Sequence, residues 1–189
     1  MLRLKLWVVF VVMVLVTMLP ACTSATSLCI SVGEFGITSL PLPEEWRKRR
    51  DSANERREEE FGASESRGQD WASTKPGRGG FGFDVYRFES VASAKKGYKI
   101  ALHLLRKPGF TLTPPPEYQY TSDFADQYTI FCGSLETTPG TCTAVARYAN
   151  YVVTVGLTPG DGVTWEQIPA LFGAVDHHIR TVMENASRE

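Results

Sequence analysis

Histidine and cysteine are scarce in this sequence, three and four residues out of 189. So few imidazoles and thiols leave little material for a metal centre or for nucleophilic chemistry, and their spacing fits no zinc-binding pattern. An excess of one charge is missing too. Twenty Lys and Arg stand against 21 Asp and Glu, a formal net charge of −1, which lacks the basic surplus of a dedicated nucleic-acid binder. Past residue 20 no apolar run approaches the roughly 20 residues needed to span a bilayer, so a helical multi-span membrane protein is not expected. What remains, 43% hydrophobic and 22% charged residues, is the composition of an ordinary globular domain, and the length suits one such domain.

The N-terminus carries an address. Arg3 and Lys5 form a short basic region, and Trp7 to Leu19 is almost continuously apolar. This is the length of a secretory h-region rather than of a stable spanning helix. Leu19-Pro20-Ala21-Cys22 follows and resembles a bacterial lipobox, whose cysteine is lipidated and becomes the first mature residue. We expect a signal peptide over 1–21 and a lipid on Cys22. Cleavage after Thr23-Ser24-Ala25 and an uncleaved anchor are the alternatives, and all three place the domain outside the cytoplasm. An oxidising exterior permits disulfides. Cys132 and Cys142 are the natural pair. Cys29 is left over if Cys22 is lipidated, and can bridge to Cys22 if it is not.

Residues 22–39, rich in small side chains, read as a lipid-anchored tether, and residues 40–82 as a charged and Gly-rich segment. Positions 44–60 combine Arg47-Lys48-Arg49-Arg50 with Glu58-Glu59-Glu60, and Glu44/Lys48, Glu45/Arg49 and Arg56/Glu60 sit at helical i,i+4 spacing. Without an apolar stripe, any helix there is solvated. Its basic run reads as a solvated charged face, since an acidic run follows directly, with contact to anionic headgroups near the anchor as the alternative. Gly77 to Gly82 matches G-x-G-x-x-G, but a strand-like run follows it rather than a helix, so it is read as a loop and not as a dinucleotide site.

Residues 83–184 read as the compact domain. Phe83 to Phe88 alternates like a strand. Ser90 caps a helix to about Lys107 with the stripe Val91, Ala94, Tyr98, Ala101, Leu102 and Leu105. Gly97 weakens that helix by roughly 1 kcal/mol. From Gln127 to Leu157 three strands form a meander: Tyr148 opposite Tyr151, Ala146 opposite Val153, Ala144 opposite both Val155 and Ile130, Cys132 opposite Cys142. In this register every apolar set faces one side. Ala149 is an unfavourable residue for the two-residue turn. Thr164-Trp165-Glu166-Gln167 resembles a capping box. It opens a helix with the stripe Ile168, Leu171, Phe172, Val175, Ile179 and Val182, and Pro169 is tolerated only in an initial turn. The expected fold is α+β, an antiparallel meander with two helices packed on one face.

That arrangement leaves the other face open. Phe131, Val145, Arg147, Val152 and Thr154 lie on it, a mixed apolar and basic surface that is the candidate binding face, with Arg147 able to pair with a carboxylate or phosphate. His177 and His178 belong to the helix surface, and Asp176 with Arg180 reads as an i,i+4 pair. No acid, base and nucleophile cluster at a recognisable spacing, so no catalytic residue, metal or cofactor is assigned.

The order Leu42-Pro43-x-x-Trp46, strand, helix, Ala125-Asp126, Cys132, Cys142 and Ala146-Arg147-Tyr148-Ala149-Asn150-Tyr151-Val152-Val153 resembles uncharacterised bacterial extracytoplasmic lipoproteins of Chloroflexota type. More distantly it is similar to the α/β sensor domains outside actinobacterial serine/threonine kinases. The resemblance spans about residues 40–184 and implies a fold and an address, not an activity. The expectation is a non-catalytic, membrane-tethered binding or sensory module. Its partners are the membrane and an unknown small ligand or envelope protein, with no role for nucleic acid. An extracytoplasmic enzyme or a passive envelope component is the alternative.

Overall fold

The computed structural model describes residues 28–75, 79–106, 108, 119–133, 140–160 and 162–188. The signal peptide and Cys22 lie outside the described residues.

The fold is α+β, built on one six-stranded antiparallel sheet. Its strands are β1 (Trp46–Ser52), β2 (Glu65–Ser73), β3 (Gly80–Arg87), β4 (Gln127–Gly133), β5 (Thr141–Tyr148) and β6 (Tyr151–Thr158), with helices α1 (Glu55–Phe61), α2 (Val91–Leu105) and α3 (Ile168–Ala186). The strand order is β1-β2-β3-β6-β5-β4, so two meanders meet where β3 pairs with β6. The second meander has the expected register throughout, including Cys132 opposite Cys142 and Tyr148 opposite Tyr151. Cys132 and Cys142 are bridged, with Cα atoms 4.1 Å apart. Closing so short a loop stabilises by up to about 3 kcal/mol. Ala149 takes the turn in a left-handed conformation, φ 49. The Asp126 carboxylate accepts its N–H at 2.7 Å and Arg147 donates to its carbonyl at 2.9 Å, which holds an unfavourable residue in place.

The sheet begins at Trp46, well before Phe83. Residues 46–52, read as part of a solvated helix, form an edge strand because their charges find partners across strands rather than along a helix. Arg50 bonds Asp70 on β2 and Asp84 on β3, at 2.6 and 2.7 Å, and Asp51 accepts from Arg67 at 2.8 Å. Of the three helical pairs, only Arg56–Glu60 forms in a helix, at 3.0 Å in α1. A charged edge also resists pairing with other chains. Part of the Gly-rich segment is strand as well, and Gly68 shows why. A Cβ there would collide with Arg50 and Asp84, whose ion pair crosses the strand at that point.

Part of the segment read as a tether belongs to the domain. Ile30, Val32, Phe35 and Ile37 are buried in the main core. Phe35 stacks at 5.0 Å on Tyr151, and the Ile37 N–H donates to Gln69 at 2.7 Å.

The two long helices lie on opposite faces of the sheet, not on one. α3 packs Ile168, Leu171, Phe172, Val175, Ile179 and Met183 against Phe81, Phe83, Val85, Val153, Val155 and Leu157. α2 packs Ala94, Tyr98 and Ala101 with Tyr86, Phe88, Phe131, Val145 and Val152. Ser90 caps α2, accepting from the Ser93 N–H at 3.1 Å. Gly97 is the price of contact: a Cβ there would sit 2.2 Å from the Phe88 ring. Ahead of α3, a short 3-10 turn over Trp165–Gln167 places Pro169 in the first helical turn, where its missing N–H costs nothing.

Candidate functional site

The expected open face is closed. Phe131, Val145 and Val152 are fully buried, and Arg147 and Thr154 retain only 5% and 7% exposure. The physical reason is the alternation itself. With apolar residues on both sides of β4, β5 and β6, the sheet requires a cover on each face, and α2 supplies the second. Arg147 is not a free ligand group. Its guanidinium donates to Gln127 at 2.8 Å, to Asp126 at 2.9 Å and to the Ala149 carbonyl, bracing the corner where β4 begins and β5 ends.

A second cluster surrounds Asp176, a carboxylate 9% exposed on α3. It accepts hydrogen bonds from the hydroxyls of Tyr120 at 2.8 Å, Ser122 at 2.7 Å and Tyr148. Burial, followed by the bond to Asp176, pushes the Tyr120 and Tyr148 hydroxyls well above their ordinary pKa, so both stay protonated as donors. Burial raises Tyr128 in the same way, and its buried hydroxyl has no partner among the described residues. Tyr128, Tyr148 and Asp176 line a void of about 10 Å³, at the lower limit for one water and far too small for a substrate. The cluster pins residues 120–125 to α3. Arg180, expected to pair with Asp176, lies instead over the Phe124 ring at 5.1 Å and beside Glu184 at 3.6 Å. The overlooked signal was the helical phase. Asp176 follows Phe172 by four and precedes Ile179 by three, which places it on the inward stripe.

The third feature is a groove of about 490 Å³ between the segment starting at Leu28 and the last turns of α3. Leu28, Ile30, Val182 and Ala186 supply apolar walls, and Ser31, Glu34 and Asn185 the polar groups. Its volume falls within the range of small-molecule sites. Sequence reasoning missed it because half of it comes from residues taken for a tether. Tyr151 fixes that half by donating to the Ile30 carbonyl at 2.7 Å and the Leu28 carbonyl at 3.0 Å.

The histidines do not join a thiol. Cys132 is in its disulfide, and no described cysteine is free. His178 donates through Nε2 to the Phe35 carbonyl at 3.2 Å. Burial holds its pKa below the ordinary value, with His177 adding to the effect and the Phe35 bond opposing it. Among the described residues no three His, Cys, Asp or Glu side chains assemble as metal ligands, and no helix is long and apolar enough to cross a membrane.

No family model and no curated protein matches the chain. Among solved structures it is similar to the extracellular domain of PknH from Mycobacterium tuberculosis, with 11% identity over 83% of this chain and 89% of that one, and a TM-score of 0.45. It is also similar to an uncharacterized protein from Mycobacterium smegmatis, with 15% identity over 74% and 78% of the two chains and a TM-score of 0.37.

Proposed function

We propose that this chain is an extracytoplasmic binding or sensory module, held at a membrane by its N-terminal segment and acting without catalytic turnover. The secretory pattern before residue 22 and the Cys132–Cys142 bridge support the address. The observation that carries the binding role is the groove beside Leu28. Its apolar walls with one carboxylate and one amide suit a small amphiphile with a cationic or hydrogen-bond-donating head. The sulfur of Cys22 can carry a lipid or a disulfide to Cys29, not both, so the anchor is either a lipid or the retained hydrophobic segment.

Intact mass of membrane-extracted protein separates these anchors. An acylated chain starting at Cys22 marks the lipid, and a chain starting at Met1 marks the retained segment. An unmodified chain beginning at Thr26 rejects tethering. For the groove, a thermal-shift screen of cationic amphiphiles should find compounds that raise the melting temperature of the native protein but not of Val182→Trp, which fills the groove. Shifts unchanged in that variant move the site elsewhere, and turnover that survives repurification rejects the non-catalytic reading.

A further inference from the structure

Helix α2 holds Lys95, Lys96, Lys99 and Arg106 at its solvent side and C-terminal cap, all exposed, with no Asp or Glu from Val91 to Arg106. None of these four cations has an ion-pair partner among the described residues. Of the four acids on neighbouring α1, Glu60 pairs with Arg56 and Arg57 and Glu58 accepts from Ser66, while Glu55 and Glu59 form no ion pair among the described residues. Among the lysines stand Ile100 and Leu104, one helical turn apart and 38% and 42% exposed, the exposed large hydrophobics of the described chain. A chain with a net charge of −1 thus places unpaired positive charge along one side of its exposed apolar pair.

We propose that this outer face of α2 docks on the anionic surface of a phospholipid membrane, with Ile100 and Leu104 entering the headgroup boundary and the lysines meeting lipid phosphates. The arrangement is that of an interfacial helix, with a cationic flank alongside an exposed apolar edge. Location favours lipid over an acidic protein, and this part rests on the tethered reading. Asn150 bonds both Leu28, where the described chain begins, and Phe88, two residues before the α2 cap, each at 3.0 Å. A membrane anchor preceding Leu28 therefore holds the start of α2 close to the bilayer, and the second contact becomes intramolecular.

The test is photolabelling of the full chain in vesicles carrying a diazirine phospholipid, either phosphatidylcholine alone or phosphatidylcholine mixed with phosphatidylglycerol, with adducts mapped by peptide mass. Adducts on residues 91–106 should appear in the anionic vesicles. They should fall about fivefold for each charge removed by Lys95→Gln, Lys96→Gln or Lys99→Gln, weaken with added salt, and vanish in Ile100→Ser/Leu104→Ser. These positions are exposed, so melting temperatures should hold. Equal helix labelling in both vesicles, or an unlabelled helix while residues 7–19 label, overturns the docking and leaves the tether standing. A labelled helix with residues 7–19 unlabelled supports docking and rejects the retained hydrophobic segment as the anchor. Carbodiimide crosslinking of these lysines to a protein in cells, with no lipid adducts, assigns the face to an acidic partner and overturns the proposal.

Discussion

On the α3 side the sheet is apolar over β3 to β6, and at β1 and β2 it turns polar, where Lys48 and Arg67 pair with Asp51 and Gln69 donates to it. On the opposite face it is apolar only where α1 and α2 cover it, and it turns ionic beyond them, at Arg50, Asp70 and Asp84. Burial pushes the Asp84 carboxyl up, with Arg50 and Asn54 opposing. Burial likewise disfavours the charge on Arg50, but its bonds to Asp70 and Asp84 outweigh this and raise its pKa. The contrast shows how one sheet carries two kinds of cover. A long amphipathic helix completes one face. The other is finished by a shorter apolar contact, and both faces end in a cross-strand ion network where β1 meets β2.

The sharpest way to break this comparison is Val152→Asp. On an open face the change would be nearly neutral. Beneath α2 it buries an unpaired carboxylate, and the expected loss is at least about 4 kcal/mol, read as failure to fold or a collapsed urea midpoint. A midpoint within experimental error of the native value would mean that α2 does not cover the face.

Asp176→Ala tests the α3 side. It strands the hydroxyls of Ser122 and Tyr148 in a buried site and frees Tyr120, for an expected loss of about 3 kcal/mol. Hydrogen exchange should rise first in residues 120–125, the segment the carboxylate holds. Uniform exchange across the domain would show that the cluster is not a local clamp.

Arg147→Ala should cost about 2 kcal/mol, since three acceptors around a buried guanidinium lose their donor. An Arg147 held open for a ligand would leave stability unchanged, so a denaturant titration decides between the two.

These positions also show what was legible in the sequence. The register of β4, β5 and β6 could be read because the side-chain period is two and a slip inverts a whole face. The α2 and α3 stripes could be read from the 3.6-residue period. Which face each helix covers could not be read, because Phe131, Val145 and Val152 alternate in the same way whether they meet a helix or solvent. β1 was hidden because Arg47 to Arg50 carries no apolar alternation, and its partners Asp70 and Asp84 lie 20 and 34 residues away from Arg50. The groove was hidden for a related reason, because it joins Leu28–Glu34 to Val182–Ala186, ends of the chain that no local pattern links.

The smallest expected effect concerns pH and the tie between α3 and the N-terminal segment. His178 has its pKa depressed in the fold, mainly by burial, against about 6.5 when unfolded. Between those two values the unfolded chain binds more protons, so stability rises with pH there. The contribution of His178 is complete above about pH 6.5 and is lost as pH falls through the folded pKa. Protonation charges a half-buried ring on the helix that holds Phe35, so acid should loosen residues 28–37 before the sheet. His178→Gln keeps an N–H for the Phe35 carbonyl and removes the titration. Its melting temperature should therefore be flatter than that of the native protein across this window. Parallel pH profiles for the two proteins would show that the pocket around His178 does not distinguish its protonation states.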